Sequence, residues 1–324
     1  MNIVLAVALA FVVSLLASGL YLRLARRWRL LDVPNHRSAH TQPTPRGGGL
    51  GIFLGLFAAM LWLALSGFRW PEPYLLFSGL SLLLVLAGLL DDRFSLPVLF
   101  RFALYAAACG VAVWAVAGDL SPWWLALLAF YCLWILNLFN FMDGIDGIAA
   151  CEALFVLGAS AALSLWGEGG GAFPLYCLVL AVACLAFLHW NWSPARLFMG
   201  DAGSVPLGFL LAVLAVYGEL QGQLPWASSL LLLAVFIADA TYTLFWRALH
   251  GENITEAHSR HMYQRLARHW GSHGRVVRVM LAYNLVWLLP LAAAASLMPG
   301  YWWIWLPAGY LPLLPALMKA GKLP

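Results

Sequence analysis

Long apolar runs separated by short polar breaks dominate this sequence. Most runs approach the roughly 20 residues that an α-helix needs to cross the hydrocarbon core of a bilayer. The pattern predicts eleven transmembrane helices, near 2–22, 47–67, 73–90, 97–117, 122–139, 147–166, 172–190, 203–219, 225–246, 276–297 and 301–318. The expected fold is an all-α integral membrane bundle, and residues 1–324 form one transmembrane domain.

The basic residues indicate how this bundle is oriented. Of the 18 lysines and arginines, all but Arg69 lie at or beside the loops of one side. Because cytoplasmic loops are enriched in Lys and Arg, we expect five cytoplasmic connections, a periplasmic N-terminus and a cytoplasmic C-terminus. The first run lacks a preceding basic segment and is predicted to be an uncleaved anchor. These features favour a bacterial inner (plasma) membrane protein.

Composition agrees with this class. The chain is 63% hydrophobic and only 10% charged, with a mean hydropathy of +0.84, whereas soluble domains are roughly half apolar and a quarter charged. The five cysteines lie inside apolar runs without metal-ligand spacing, which is typical of buried small hydrophobic residues. A net charge of +4 favours anionic lipid headgroups over nucleic acid as partners.

Acidic and amide residues concentrate in the breaks assigned to the cytoplasmic side. The first break, residues 32–51, contains three prolines that forbid a regular helix. Its Gly47-Gly48-Gly49 sequence would let backbone N–H groups approach a phosphate, and Arg37 and Arg46 add positive charge. A basic surface loop without a ligand is the alternative.

The second break carries Asp91 and Asp92. Adjacent residues of a helix point about 100° apart, so we expect one carboxylate to face a site and the other to support it or face phosphate. A pair of helix-end ion pairs with Arg93 and Arg101 is the alternative.

The third break has polar residues at every third position: Asn137, Asn140, Asp143 and Asp146. This spacing places them on one side of a helix, or of a helix broken at Gly144. Polar groups at a membrane are costly without partners, so a cation with phosphate, or a nucleoside, is expected there. Interhelical hydrogen bonds are the alternative.

Two further breaks complete the set. Asp201 precedes an apolar run and suits Mg²⁺, which takes one or two carboxylates plus substrate phosphates, although a helix cap is equally compatible with this position. The loop after Asp239 is basic and rich in histidine. An amphipathic interfacial helix accounts for Arg268, His269 and His273, whereas His261 is expected to be functional.

Five motifs occur in order: Asp-x-Pro-Asn-x-Arg-Ser-x-His with Pro-Thr-Pro-Arg-Gly-Gly, Gly-x-x-Asp-Asp, Asn-x-x-Asp-Gly-x-Asp-Gly, Met-Gly-Asp-x-Gly-Ser and a histidine loop. From residue 32 to about 270 the chain resembles the polyprenyl-phosphate N-acetylhexosamine-1-phosphate transferase superfamily, glycosyltransferase family 4. The resemblance implies a Mg²⁺-dependent (or Mn²⁺-dependent) enzyme. An oxygen of undecaprenyl phosphate attacks the β-phosphate of a UDP-N-acetylamino sugar, giving undecaprenyl-diphospho-sugar and UMP.

The resemblance also implies roles for individual residues, and the possibility of a homodimer. The catalytic residues are Asp91 (a base, or the nucleophile of a two-step reaction), Asp92 and His261. Asp201 and Asp143 are the implied metal ligands. The implied substrate-binding residues are Asn140, Asp143, Asp146, Arg247, Arg46 and His40.

One departure points to a branch of the superfamily. The chain has His261-Met262-Tyr263-Gln264 where many relatives have a cluster of histidines. This resembles the branch that initiates lipopolysaccharide O-antigen with N-acetylfucosamine or N-acetylquinovosamine. A peptidoglycan role is disfavoured, because that branch has a lysine where Gln42 or a neighbour stands here.

Two other functions fit a multi-span chain with polar clusters. A secondary transporter would place its polar residues near the bilayer midplane, and here they lie at one surface. A CDP-alcohol phosphotransferase would continue the Asp143–Ala149 motif with an arginine and a second aspartate pair, which this sequence lacks.

Overall fold

A computed structural model of the chain describes residues 2–34, 42–167, 169–253 and 258–323. Within these ranges the chain forms fifteen α-helices. They are α1 (Ile3–Arg27), α2 (Leu50–Leu65), α3 (Glu72–Phe94), α4 (Val98–Ala117), α5 (Pro122–Met142), α6 (Ile148–Trp166), α7 (Ala172–Asn191), α8 (Asp201–Leu220), α9 (Trp226–Leu232), α10 (Ala234–Leu249), α11 (Met262–Trp270), α12 (His273–Tyr283), α13 (Leu289–Leu297), α14 (Trp302–Tyr310) and α15 (Leu313–Ala320).

Short elements of other types connect these helices. The strands β1 (Leu31–Asp32) and β2 (Thr44–Pro45) pair antiparallel, with Leu31 opposite Pro45. A π-helical stretch, Asn284–Leu288, joins α12 to α13, and a 3₁₀ turn, Pro299–Tyr301, precedes α14.

The predicted membrane bundle is confirmed in its class but not in its helix count. Among the described residues, eight helical stretches are long and apolar enough to cross a membrane; one of them, His273–Leu297, comprises α12, the π-helical stretch and α13. The number is nine if α9 and α10, bent by 73°, form one span. Each predicted span overlaps a helix, yet α2 has only 16 residues and the last span is divided into α14 and α15. The number eleven and the orientation therefore stay predictions.

Helix α8 lies at the centre of the bundle. It is apolar on all sides. Of an apolar 18-residue segment of α8, 83% of the residues are buried, against 22% in α1 and 28% in α4. A helix that is hydrophobic all round is buried all round, and α8 packs against α3, α4 and α5. Its first residue, Asp201, therefore lies where the ends of several helices meet.

Glycine contacts bring α2 and α3 close to the start of α8. A Cβ atom on Gly49 would lie 2.1 Å from Gly203 Cα, and one on Gly88 would lie 2.5 Å from the Asp201 carbonyl oxygen. Small residues at such contacts allow backbones to approach. Three segments far apart in sequence consequently converge at one end of the bundle.

Helix α11 is the short amphipathic helix predicted for the last loop. Tyr263 and Ala267 are buried on one side, and Arg268 and His269 are exposed on the other. Arg265 Nη1 donates to the carbonyl oxygens of residues 321 and 323, at 2.9 and 2.7 Å, and so attaches α11 to the end of α15.

A polar pair lies inside the bundle, between two of the predicted spans. Asn284 Nδ2 donates to Glu152 Oε2 at 2.6 Å, and both side chains are fully buried between α6 and the π-helical stretch.

Candidate active site

A bridge of charged side chains joins the ends of α3, α4 and α8. Arg101 Nη1 lies 2.5 Å from Asp91 Oδ2 and 3.4 Å from Asp201 Oδ2. The other oxygen of Asp91 accepts from the Leu96 N–H at 2.6 Å, within a tight turn where Ser95 adopts a left-handed conformation. Asp91 therefore shapes the α3–α4 turn that brings Arg101 back to the carboxylates.

Asp92 faces a different set of partners. Its Oδ1 and Oδ2 atoms lie 3.4 and 3.5 Å from the N–H groups of Asp201 and Ala202, at the start of α8. Arg46 Nε lies 3.7 Å from Asp92 Oδ1, and its guanidinium also donates to the Asp92 carbonyl. A carboxylate at this position is stabilised by the free N–H groups and dipole of the helix N-terminus, so Asp92 fixes the start of α8.

Two N–H groups of the glycine-rich segment, those of Gly48 and Gly49, donate to backbone carbonyls, so the expectation that they bind phosphate is wrong. Gly48 N–H donates to the Phe198 carbonyl at 2.9 Å, and Gly49 N–H donates to Met199 at 3.0 Å. The segment pairs with the chain before α8. Gly200, with φ of 68°, completes this contact, since a Cβ there would lie 2.5 Å from Asp92 Oδ2.

The four polar residues of the third connection do not share the face of one unbroken helix. Helix α5 ends at Met142 and α6 begins at Ile148, so the chain is broken around Gly144, as the second alternative allowed. Asn137 donates to the Leu133 carbonyl of its own helix at 2.7 Å. Asn140 Oδ1 accepts from Ser204 Oγ at 2.6 Å and so contacts α8. Asn140 therefore belongs with the carboxylate bridge, and Asn137 does not.

Asp143 and Asp146 lie in the turn between α5 and α6 and have different surroundings. Burial raises the pKa of Asp143 to about 7, and the negative charges of Asp92 and Asp146 add to this. For Asp146, burial opposes ionisation, but His273 and the Ala195 N–H hold its pKa below the usual value. Of these two carboxyls, Asp146 therefore has partners that favour its charged form and Asp143 has neighbours that disfavour it.

The sequence does not predict that His273 contacts the candidate site, because its basic surroundings favour an interfacial helix. His273 begins α12, and its Nδ1 lies 3.2 Å from Asp146 Oδ2. The Ala195 N–H donates to the same oxygen at 3.2 Å. The start of α12 and the segment after α7 therefore both hold Asp146, and the only sequence signal for this was a histidine in a helix-start position.

Arg247 lies in the last turn of α10, and His261 immediately precedes α11. Arg247 is 4% exposed, and its Nε and Nη2 atoms donate to Glu252 Oε2 at 3.1 Å and the Asn253 carbonyl at 2.6 Å. His261 is 3% exposed and caps α11, with Nδ1 lying 3.5 Å from Asp239 Oδ1. Both side chains have contacts that shape the connection between α10 and α11, and their substrate roles stay predictions.

Residues 35–41 lie outside the described residues. The predicted contributions of Arg37 and His40 fall in this range, so the assignment of His40 to substrate binding also stays a prediction.

The oxygen-rich donor set resembles what Mg²⁺ accepts, although it is incomplete by itself. Within the described ranges, no three His, Cys, Asp or Glu side chains are arranged to hold a metal ion. Mg²⁺ is commonly bound by one or two carboxylates together with substrate phosphates. Asp201 and Asp143 are carboxylates of the kind that Mg²⁺ takes, and a cation nearby would offset the burial and the negative charges that raise the pKa of Asp143.

Comparison with known proteins bears on this site. Residues 74–219 match the model of Glycosyl transferase family 4. A decaprenyl-phosphate N-acetylglucosaminephosphotransferase of Mycobacterium tuberculosis is 31% identical over 331 residues, covering 89% of this chain and 81% of the relative. The chain belongs to this family.

Two further relatives are similar over most of their length. A probable undecaprenyl-phosphate N-acetylglucosaminyl 1-phosphate transferase of Bacillus subtilis is 29% identical, covering 86% of this chain and 82% of the relative. An undecaprenyl-phosphate alpha-N-acetylglucosaminyl 1-phosphate transferase of Thermotoga maritima is 30% identical, covering 82% and 83%. The predicted superfamily is thereby confirmed. The family model spans Asp91 to Asp201 but not Arg247 or His261.

Proposed function

We propose that this protein is a Mg²⁺-dependent phosphotransferase that transfers the sugar 1-phosphate of a UDP-N-acetylamino sugar to undecaprenyl phosphate, releasing UMP. The observation that carries this proposal is the bridge of Asp91, Arg101 and Asp201, with Asp92 at the start of α8. The printed functions of the three relatives support polyprenyl phosphate as the acceptor and an N-acetylhexosamine 1-phosphate as the transferred group.

Phosphoryl transfer depends mostly on positioning and on charge stabilisation. We assign the metal to Asp201 and Asp143, where Mg²⁺ would neutralise the diphosphate of the donor. Arg101 and Arg46, on either side of the carboxylates, are placed to balance charge as substrate arrives. Asn140, held by Ser204, is assigned to the nucleotide, together with the adjoining turn that contains Asp146.

The partners of Asp91 favour the one-step reaction over the two-step one. Both of its oxygens already have donors, at 2.5 and 2.6 Å, which orients the carboxylate but hinders its use as a nucleophile. The acceptor needs little activation, since the last proton of a phosphate monoester has a pKa of about 6. We therefore assign Asp91 to alignment and to accepting a proton where one remains.

The cellular role follows from the motifs and the charge pattern. We propose that the site faces the cytoplasm at the inner membrane and that the product initiates O-antigen or another surface polysaccharide. The divergent sequence His261–Gln264 supports an O-antigen branch using N-acetylfucosamine or N-acetylquinovosamine. The relatives support N-acetylglucosamine, so the donor sugar is left to experiment.

The test is UMP release by purified protein given undecaprenyl phosphate, Mg²⁺ and a panel of UDP-N-acetylamino sugars. UMP that depends on both lipid and metal, with a lipid-diphospho-sugar detected by mass spectrometry, is the expected result. Folded protein that releases no UMP with any donor contradicts the proposal, and so does release without lipid. The preferred donor then identifies the branch.

A further inference from the structure

Asp239, in α10, is a fully buried carboxylate that the proposed reaction does not use. Its Oδ1 accepts from the Met262 N–H at 2.8 Å, and its Oδ2 accepts from the Tyr263 N–H at 3.0 Å. Thr243 Oγ1, one turn later in α10, lies 3.3 Å from Oδ1. Both oxygens of a buried charge are therefore directed at the first turn of α11.

This geometry makes Asp239 a helix cap supplied by another helix. The first N–H groups of an α-helix have no partner within the helix, and the dipole there favours negative charge. Helix α11 is only nine residues long, and isolated helices of that length are marginal in water. Its formation and position consequently depend on tertiary contacts such as this one.

His261 lies beside the same carboxylate, that of Asp239. Its Nδ1 lies 3.5 Å from Asp239 Oδ1, its ring stacks at 5.8 Å on that of Tyr263, and its side chain is 3% exposed. The carboxylate of Asp239 and the ring of Tyr263 flank this imidazole, whose Nδ1 has no hydrogen-bond partner among the described residues.

The opposite side of α11 contacts the turn after α5. Tyr263 Oη donates to the Phe141 carbonyl at 3.0 Å. A Cβ on Gly144 would lie 2.1 Å from the same hydroxyl oxygen, so Tyr263 packs directly against the turn that carries Asp143. Asp239 is thus connected through α11 to the proposed metal and nucleotide site.

We propose that Asp239 is a positioning residue: it caps α11, holds His261 and, through Tyr263, sets the position of the turn at 141–144. Its effect on turnover rests on the proposed function, whereas its hold on His261 does not. Placement errors of about 1 Å cost roughly 100-fold in rate, and Asp239→Ala is expected to lower kcat by that order. The KM for undecaprenyl phosphate should be unchanged.

The test combines kinetics with chemical modification of histidine. Diethyl pyrocarbonate modifies accessible imidazoles, and peptide mapping by mass spectrometry reports each residue separately. In the wild-type protein we expect His261 to be protected while the exposed His250 and His269 react. In Asp239→Asn, which keeps the shape and one acceptor oxygen, His261 should become reactive and kcat should fall. Tyr263→Phe should lower kcat and leave His261 protected.

Glu152→Ala is the control, because it also removes a buried carboxyl, but one in α6 that contacts Asn284 and not α11. It should leave His261 protected. Protection of His261 that persists in Asp239→Asn, with unchanged kcat, overturns the proposal even if Asp239→Ala fails to fold. If wild-type protein has no transferase activity, the proposed function fails, and the modification pattern still decides whether Asp239 holds His261.

Discussion

Replacing Arg101 by glutamine is expected to tighten the binding of a divalent cation. Its Nη1 atom lies 3.4 Å from Asp201 Oδ2, so a cation on Asp201 would be close to the guanidinium. At an effective dielectric constant of about 20, two unit charges about 4 Å apart interact by about 4 kcal/mol, so a divalent cation and the guanidinium would repel by about 8 kcal/mol. The Arg101 side chain is 29% exposed, and screening reduces this to about 2 kcal/mol. The variant should therefore bind the ion about 30-fold more tightly.

The assay is titration of Mn²⁺ into metal-free protein, with free Mn²⁺ measured by electron paramagnetic resonance. Arg278→Gln, at an exposed position in α12, makes the same charge change away from the cluster and should have little effect. Without metal, Arg101→Gln should also unfold at a lower temperature, because Asp91 loses a close ionic partner, and Mn²⁺ should restore much of the loss. An affinity for Mn²⁺ equal to or weaker than that of the wild type would refute the inference that the bound cation lies close to Arg101 at Asp201.

Three further predictions address the same end of the bundle. Asp201→Asn should lower UMP release about 100-fold or more by removing a metal ligand, and normal turnover at limiting Mg²⁺ would contradict that assignment. Asp143, with its pKa raised to about 7, keeps a proton in the folded protein that the unfolded chain loses near pH 4. Metal-free stability should therefore fall as pH rises from about 4 to 7, and Asp143→Asn should remove this part of a pH series of thermal unfolding. Gly49→Ala should destabilise by about 1–3 kcal/mol, because its Cβ would lie 2.1 Å from Gly203 Cα. Gly79→Ala, with no atom within 4 Å, should be neutral or stabilising in the same unfolding assay.

The helices could be predicted from the sequence because apolar length is a local property. Each predicted span overlaps a helix. The break between α9 and α10, in contrast, could not be predicted from hydropathy. The bend of 73° falls at Leu233, inside a continuous apolar run. Whether a short apolar helix such as α2 crosses a membrane depends on its neighbours, and hydropathy alone does not decide it.

The candidate site was predictable in its residue types and only partly in its contacts. The sequence predicts that Asp91, Asp92 and Asp201 need partners because they lie at the ends of apolar runs, and the structure brings the three residues together. An ion pair with Arg101 is the alternative that the sequence offers for the Asp91–Asp92 pair, and the structure shows it for Asp91. The additional contact of Arg101 with Asp201 depends on the α3–α4 turn, which the motif does not encode. Similarly, the sequence predicts that the Gly48 N–H binds phosphate, whereas in the structure it donates to the Phe198 carbonyl. A local motif does not indicate which distant segment of the chain packs beside it.

The bridge between α3, α4 and α8 has a consequence for how the chain is made. Asp91 and Arg101 are synthesised close together and can pair as soon as α4 has formed. Asp201 follows 100 residues later, and the contacts of Asp239 with α11 later still. Until α8 has been synthesised, Gly49 and Gly88, which pack against its first residues, lack this contact. A translation product that stops before residue 201 should consequently be a substrate for membrane quality control, while one that stops after α8 should already resist proteolysis at the α3–α4 turn.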